Sequence, residues 1–174
     1  MNIDSNQIRD LSPLRDLCFL ECLWFSNNEV SDIYPLANLT ELETLTFWLN
    51  QVSDLTPLKN LRKLTELFFG DNNVCDLTPI QDLCSLILLE FDANQVTDVS
   101  PLKNLTNLSE LRFWSNRVSD LSPLSNLINL QVLDLLDNQI SDLSPLQHLT
   151  NLLWLDFQNN QVSDLTPLQN LTNL

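Results

Sequence analysis

Apolar and polar positions alternate along this chain in short bursts. In the stretch from Leu42 to Leu61, Leu45 and Phe47 alternate with Thr44, Thr46 and Trp48. A period of two predicts a strand with one buried face. Asn50 ends that run. Thr56-Pro57 then places a hydroxyl and a proline where a short helical turn begins, too brief before Leu61 for more than a 3-10 or single turn. The unit restarts 22 residues later, at Leu64. All eight prolines fall in one column: Pro13, Pro35, Pro57, Pro79, Pro101, Pro123, Pro145 and Pro167. An asparagine column (Asn6, Asn28, Asn50 and onward to Asn160) and an aspartate column (Asp10, Asp32, Asp54 and onward to Asp164) keep the same register, with no insertion or deletion. A fixed period of this size predicts a solenoid, and strands related by translation along it predict a parallel sheet.

Read along the chain, residues 1–19 are an incomplete repeat in register with the later ones, a modest N-terminal cap. Residues 20–174 hold seven full repeats, beginning at Leu20, Leu42, Leu64, Leu86, Leu108, Leu130 and Leu152, with no visible C-terminal cap. An amide column suits turn backbone groups that would otherwise be buried unpaired, since asparagine both donates and accepts. The aspartate column reads as an acceptor for turn N–H groups, not as catalytic machinery. Ser or Thr precedes Pro in seven of the eight copies and predicts hydroxyl caps.

The pattern LxxLxFxxNxVSDLxPLxxL, running from about Ile3 to Leu174, resembles a leucine-rich repeat. More narrowly, it resembles the 22-residue subclass of bacterial internalins and of a regulatory subunit of a Ser/Thr protein phosphatase. The resemblance implies an α/β solenoid: a curved leucine-rich-repeat array with a parallel β-sheet on the concave face and short 3-10 or helical turns on the convex face. It also implies a non-enzymatic binding scaffold of bacterial type.

Composition narrows the function. A net charge of −15 offers no basic patch for a phosphate backbone, so a nucleic-acid partner is not expected. No apolar run reaches the ~18–20 residues of a membrane span. The start Met1-Asn2-Ile3-Asp4-Ser5 does not read as a secretory leader, which makes the expected location cytoplasmic. Cys18, Cys22, Cys75 and Cys84 form no disulfide framework; Cys18 and Cys84 stand three repeats apart, roughly 14 Å at strand spacing. Free thiols suit a reducing compartment, and the Cys18–Cys22 spacing has no second ligand pair for zinc. His148 is the single histidine and falls on the convex side, with no nucleophile, phosphate loop or metal motif to make catalysis or a cofactor an expectation.

Function is left to columns that point outward from the sheet. One contains Cys22, Thr44, Glu66, Leu88, Glu110, Val132 and Trp154. The next contains Trp24, Thr46, Phe68, Glu90, Arg112, Asp134 and Asp156, and a third contains Ser26, Trp48, Gly70, Asp92, Trp114, Leu136 and Gln158. A rim column follows, from Asn27 and Leu49 to Asp137 and Asn159. All four tryptophans and eight acids lie here against one arginine, so the face is aromatic and carries about −7. Trp24, Trp48 and Phe68 are expected to cluster, with the lone Gly70 leaving a notch beside Trp48. Trp114, Val132, Leu136 and Trp154 form a second patch. Arg112 is expected to bridge Glu90 and Asp134 as a cross-strand ladder. The reading is a groove for a protein or peptide with basic residues around apolar anchors. Three alternatives are a sheet stabilised for its own sake, a cation bridged by Asp134 and Asp156 at ~5 Å, and self-association through open sheet edges.

Overall fold

The computed structural model describes residues 1–174. Seven strands of three residues each stack in chain order: β1 (Cys22–Trp24), β2 (Thr44–Thr46), β3 (Glu66–Phe68), β4 (Leu88–Glu90), β5 (Glu110–Arg112), β6 (Val132–Asp134) and β7 (Trp154–Asp156). Every pairing is parallel and offset by one repeat, so Leu23, Leu45, Leu67 and their successors lie side by side. Ahead of β1, the segment from Met1 to Ser5 occupies an equivalent position. Asn2 bridges Trp24, and the Ile3 N–H donates to the Trp24 carbonyl at 2.8 Å. Eight 3-10 turns alternate with the strands, from Ser12–Leu14 ahead of β1 to Thr166–Leu168 after β7, each with its proline in the first turn. No helix is long and apolar enough to cross a membrane.

The inward leucines, valines and phenylalanines form one continuous cluster of 45 buried residues, so no boundary divides the array. Phe25, Phe47, Phe69, Phe91 and Phe113 stack face to face inside it, with centroids 5.3–5.7 Å apart, until Leu135 interrupts the column. Stacking at this separation adds specific aromatic contact to the area buried.

The asparagine column does what its chemistry predicts. The Asn72 side-chain N–H groups donate to the carbonyls of Phe47, Phe69 and Gly70 at 3.0–3.2 Å, and its Oδ1 accepts the Val52 N–H at 2.9 Å. One amide thus satisfies three carbonyls and one N–H across two neighbouring coils. The same set repeats at Asn50, Asn94, Asn116 and Asn138.

The convex turns differ in detail from expectation. The hydroxyls are not the caps. The residue before each turn is Leu, Ile or Val, with no side-chain cap bond. The aspartate column takes that role instead: Asp54 accepts the Thr56 N–H at 2.8 Å, and the other seven copies repeat the bond at the same length. An Asx turn of this kind supplies the acceptor two residues upstream, and the Ser100 and Ser122 hydroxyls donate to the same aspartates. The hydroxyl still contributes. Hydrogen bonds from Ser or Thr side chains and backbone hold Asp10, Asp54, Asp120, Asp142 and Asp164 below the usual aspartate range.

Replacing Asn72 by alanine leaves the buried Val52 N–H without a partner and takes one of two donors from each of the Phe47, Phe69 and Gly70 carbonyls, which keep Asn50, Asn94 and the Leu49 N–H. The expected loss is about 2–4 kcal/mol in urea-induced unfolding, against well under half of that for Asn6→Ala at the exposed first turn. Equal losses at the two positions would show that the amide acts through something other than burial.

Candidate functional site

Strand register places the outward columns side by side. Trp24, Thr46, Phe68, Glu90, Arg112, Asp134 and Asp156 are successive partners across the sheet, as are Cys22, Thr44, Glu66, Leu88, Glu110, Val132 and Trp154. The third column is not in the strands. Each strand is three residues long, and Ser26, Trp48, Gly70, Asp92, Trp114, Leu136 and Gln158 stand just past its end, where the chain begins to turn. The rim column is the turn itself: Asn27, Leu49, Asp71, Ala93, Ser115, Asp137 and Asn159 all have φ between 47° and 54°. Asparagine and aspartate tolerate this left-handed geometry, whereas Leu49 and Ala93 hold it at a cost of roughly 1–2 kcal/mol each. Leu49 is also half exposed.

Trp24, Trp48 and Phe68 share one end of the face without stacking. Thr46 separates Trp24 from Phe68 along their column. Trp48 turns toward the next repeat instead. A Cβ on Gly70 would meet the six-membered ring of Trp48 at 3.2–3.3 Å, so the expected notch is filled by that indole. The lack of a side chain at Gly70 is what lets the ring lie flat there. In the other patch, Val132 and Trp154 are direct partners, and Trp114 and Leu136 occupy equivalent sites of adjacent repeats.

The acids have local duties. In the third column the carbonyl accepts from the preceding coil, but the N–H is left out of the ladder. Side chains supply the missing acceptor in five of the seven coils. Asp4 accepts from Ser26 at 2.6 Å, Ser26 from Trp48 at 3.2 Å, Asp92 from Trp114 at 2.8 Å, Asp134 from Leu136 at 3.0 Å and Asp156 from Gln158 at 2.9 Å. The ladder expected at Arg112 is only half formed. Its guanidinium meets Glu90 at 3.6 Å and Glu110, two residues back on its own strand, at 3.0 Å; Asp134 is not within ion-pair distance. Glu110 outcompetes Asp134 because residues i and i+2 of a strand share a face, while Asp134 is drawn to the Leu136 N–H. No group of three or more His, Cys, Asp or Glu side chains is gathered as a metal site.

Two leucine-rich repeats are matched by the family model over residues 106–148. The solved structure of an internalin C2 from Listeria monocytogenes is 34% identical, covers 99% of this chain and 76% of its own, and superposes with a TM-score of 0.89. The chain is an internalin-like leucine-rich-repeat protein. An internalin F from the same organism is also 34% identical over 99% of this chain and 64% of its own, with a TM-score of 0.65. A plant peptide hormone receptor, solved in complex with its peptide RGF2, shares the fold alone at 22% identity and a TM-score of 0.80, over 94% of this chain and 28% of its own. No curated protein sequence is significantly similar to the chain.

Within this internalin-like face Asp92 stands apart. It has no exposed surface. Its Oδ1 holds the Trp114 N–H, and its Oδ2 is the one buried side-chain oxygen without a donor. The neighbouring Glu90 is itself an acceptor, so the two bond only when one of them carries a proton. Burial first, then the hydrogen bond and charge of Glu90, with the Asp134 charge adding, push the Asp92 carboxyl up to about 9 against the opposing Trp114 N–H. Burial also raises Asp134, with Asp156 and Glu90 adding and the Leu136 N–H and Arg112 opposing. Sequence alone named Asp92 as a surface acid. Its complete burial is a fact of the folded structure, not of its place in the column.

The folded chain keeps a proton on Asp92 that the unfolded chain releases near pH ~4. Stability therefore falls as pH rises from there toward about 9 and levels off above it. Asp92→Asn keeps the acceptor for Trp114 and gives Glu90 a permanent donor. The variant is expected to be more stable at pH 8 by about 1–3 kcal/mol, with a flatter pH dependence between ~5 and ~8. Thermal melts across that range check it, and an unchanged slope would place the proton elsewhere.

Proposed function

We propose that the concave face docks a protein or peptide partner that carries basic residues around apolar anchors. Leucine-rich-repeat proteins generally mediate protein–protein interaction, which is the frame for this reading. The observation that carries it is the placement of tryptophan. All four stand on this one face, none joins the core, and Trp154 is 43% exposed. Large aromatics left in water on an open face are characteristic anchors of interfaces. Leu49 adds an apolar side chain at a backbone geometry that costs energy, beside Trp48.

The acids play a second part. Asp92, Asp134 and Asp156 each spend one oxygen on a backbone N–H, and Glu90 and Glu110 hold Arg112. Eight acids against one arginine still leave an excess of negative charge that attracts a basic partner from a distance. Trp24, Trp48, Phe68, Trp114, Leu136 and Trp154 are assigned as anchors, and Glu90, Asp134 and Asp156, with Arg112 among them, as the charged ground between them, while Asp92 is buried and neutral beneath the face. A cytoplasmic setting belongs to the same proposal, supported by four free thiols.

The test compares the chain with its Trp48→Ser/Trp114→Ser variant as baits for a binding partner, with circular dichroism to confirm an unchanged fold. A partner held by the parent at low salt, weakened as salt rises and lost by the variant supports the concave site. Retention by both, or capture by neither, overturns it. Light scattering on the same samples reads the alternative, self-association through the sheet ends, as a mass that grows with concentration in both proteins alike.

A further inference from the structure

Three exposed apolar side chains outside the proposed docking columns share one edge of the solenoid. It is the edge where the chain enters each strand, between the convex turns and the sheet. Ile87, Ile128 and Leu153 stand there, 44%, 55% and 58% exposed. In the coils of β4 to β7 this edge is made of residues 84–87, 106–109, 128–131 and 150–153, and not one of them is charged. The same positions ahead of β1 to β3 hold Glu21, Glu41, Glu43, Arg62 and Lys63. The nearest charge on the concave side of the neutral strip is Glu110, which Arg112 holds at 3.0 Å.

The polar groups of the strip are neutral and set in place. Asn107, Asn129 and Asn151 each donate from Nδ2 to a carbonyl of the preceding coil, at Cys84, Thr106 and Ile128, all at 2.8 Å. Those bonds fix the amide planes and leave the exposed Oδ1 atoms without an internal donor. An amide both donates and accepts, so it can pair with another amide without any charge. A chain of net charge −15 repels its own copies wherever acid faces acid. On this strip no acid stands in the way, and the exposed apolar side chains gain by being covered.

We infer that this edge pairs two copies of the chain about a two-fold axis parallel to the strands and midway between β5 and β6. The two solenoids then run antiparallel. Ile87 of one copy faces Leu153 of the other, Asn107 faces Asn129, and Ser109 faces Gln131. The contact is isologous, so each of these pairs occurs twice and the assembly closes at two. Charge selects this orientation. Only the coils of β4 to β7 overlap, so Glu21, Glu41 and Glu43 of each copy project past the last strand of the other. In a parallel pairing the same acids would meet their own duplicates, which is repulsive. The strip spans three strand spacings, ~14 Å, so the pair belongs to the small and transient class of interfaces. The inference goes beyond the concave docking role and does not depend on it, since Ile87 and Leu153 lie outside the docking columns.

The experiment is sedimentation equilibrium of the full chain from about 5 to about 500 µM, a range that brackets a weak pair. The mass is expected to rise from one chain, 20.0 kDa, and to level off at two. Ile87→Lys and Leu153→Glu each set an unpaired charge against an apolar partner and are expected to weaken association by at least about tenfold. The double variant Ile87→Lys/Leu153→Glu sets lysine against glutamate twice across the two-fold axis and is expected to recover the dimer, now sensitive to salt. Both positions are exposed, and circular dichroism checks that each variant is folded. A parent that stays at one mass, single variants that associate like the parent, or a double variant that stays monomeric each overturns the pairing. So does a mass that passes two copies without levelling, which is the mark of stacking through the sheet ends. None of these outcomes bears on the concave face, which is tested by the Trp48→Ser/Trp114→Ser capture alone.

Discussion

Each coil of this solenoid ends its strand in a turn that buries more backbone carbonyls than it can satisfy. A single amide, the asparagine that closes the strand, answers for them by reaching into its own coil and the one before. Without it the turn would stay wet, the phenylalanine beneath could not be covered, and the strands could not stack at one repeat per step. The demand is the same in every coil, which is why the column admits no other residue from Asn6 to Asn160. The aspartates do the smaller version of this work on the opposite side, where water is near and one N–H per turn is at stake.

These commitments decide where function is possible. Inward columns are filled by leucine, valine and phenylalanine, and the convex turns are occupied with their own capping. Only the outward columns vary freely in size and charge. Even there the backbone intervenes, because the third column leaves an N–H outside the ladder and the sequence answers it differently from coil to coil. Serine serves once, aspartate from the same column twice, and an aspartate two residues back in the last two repeats. The acidity of the face is therefore partly architecture. Its tryptophans are not, since they satisfy no backbone group and fill no core.

The kinship with internalins, at 34% identity and a TM-score of 0.89 to one of them, carries the scaffold and the general task of binding. It does not carry the partner, because the outward columns are the positions the scaffold leaves unconstrained. Asp92 illustrates what such freedom allows: an acid that burial and the neighbouring Glu90 hold neutral at neutral pH, on a face otherwise rich in charge.

Periodicity alone determined the repeat, the parallel order of strands, the inward and outward faces, and the amide and aspartate columns. Each of these depends on interactions that recur at fixed sequence distance, so 22-residue spacing is enough to read them. The sequence also located all four tryptophans on one face. It misassigned the hydroxyl caps, because the turn starts one residue early: Ser or Thr is the first turn residue, its own N–H goes to the aspartate, and the following N–H groups go to backbone carbonyls. It expected a notch at Gly70 and a bridge from Arg112 to Asp134. Rotamer choice filled the first with Trp48, and a nearer acid on the same strand, Glu110, took the second. The left-handed rim and the burial of Asp92 were likewise decided only in three dimensions. Burial of one side chain depends on how its neighbours lean, and that is a property of packing, not of residue order.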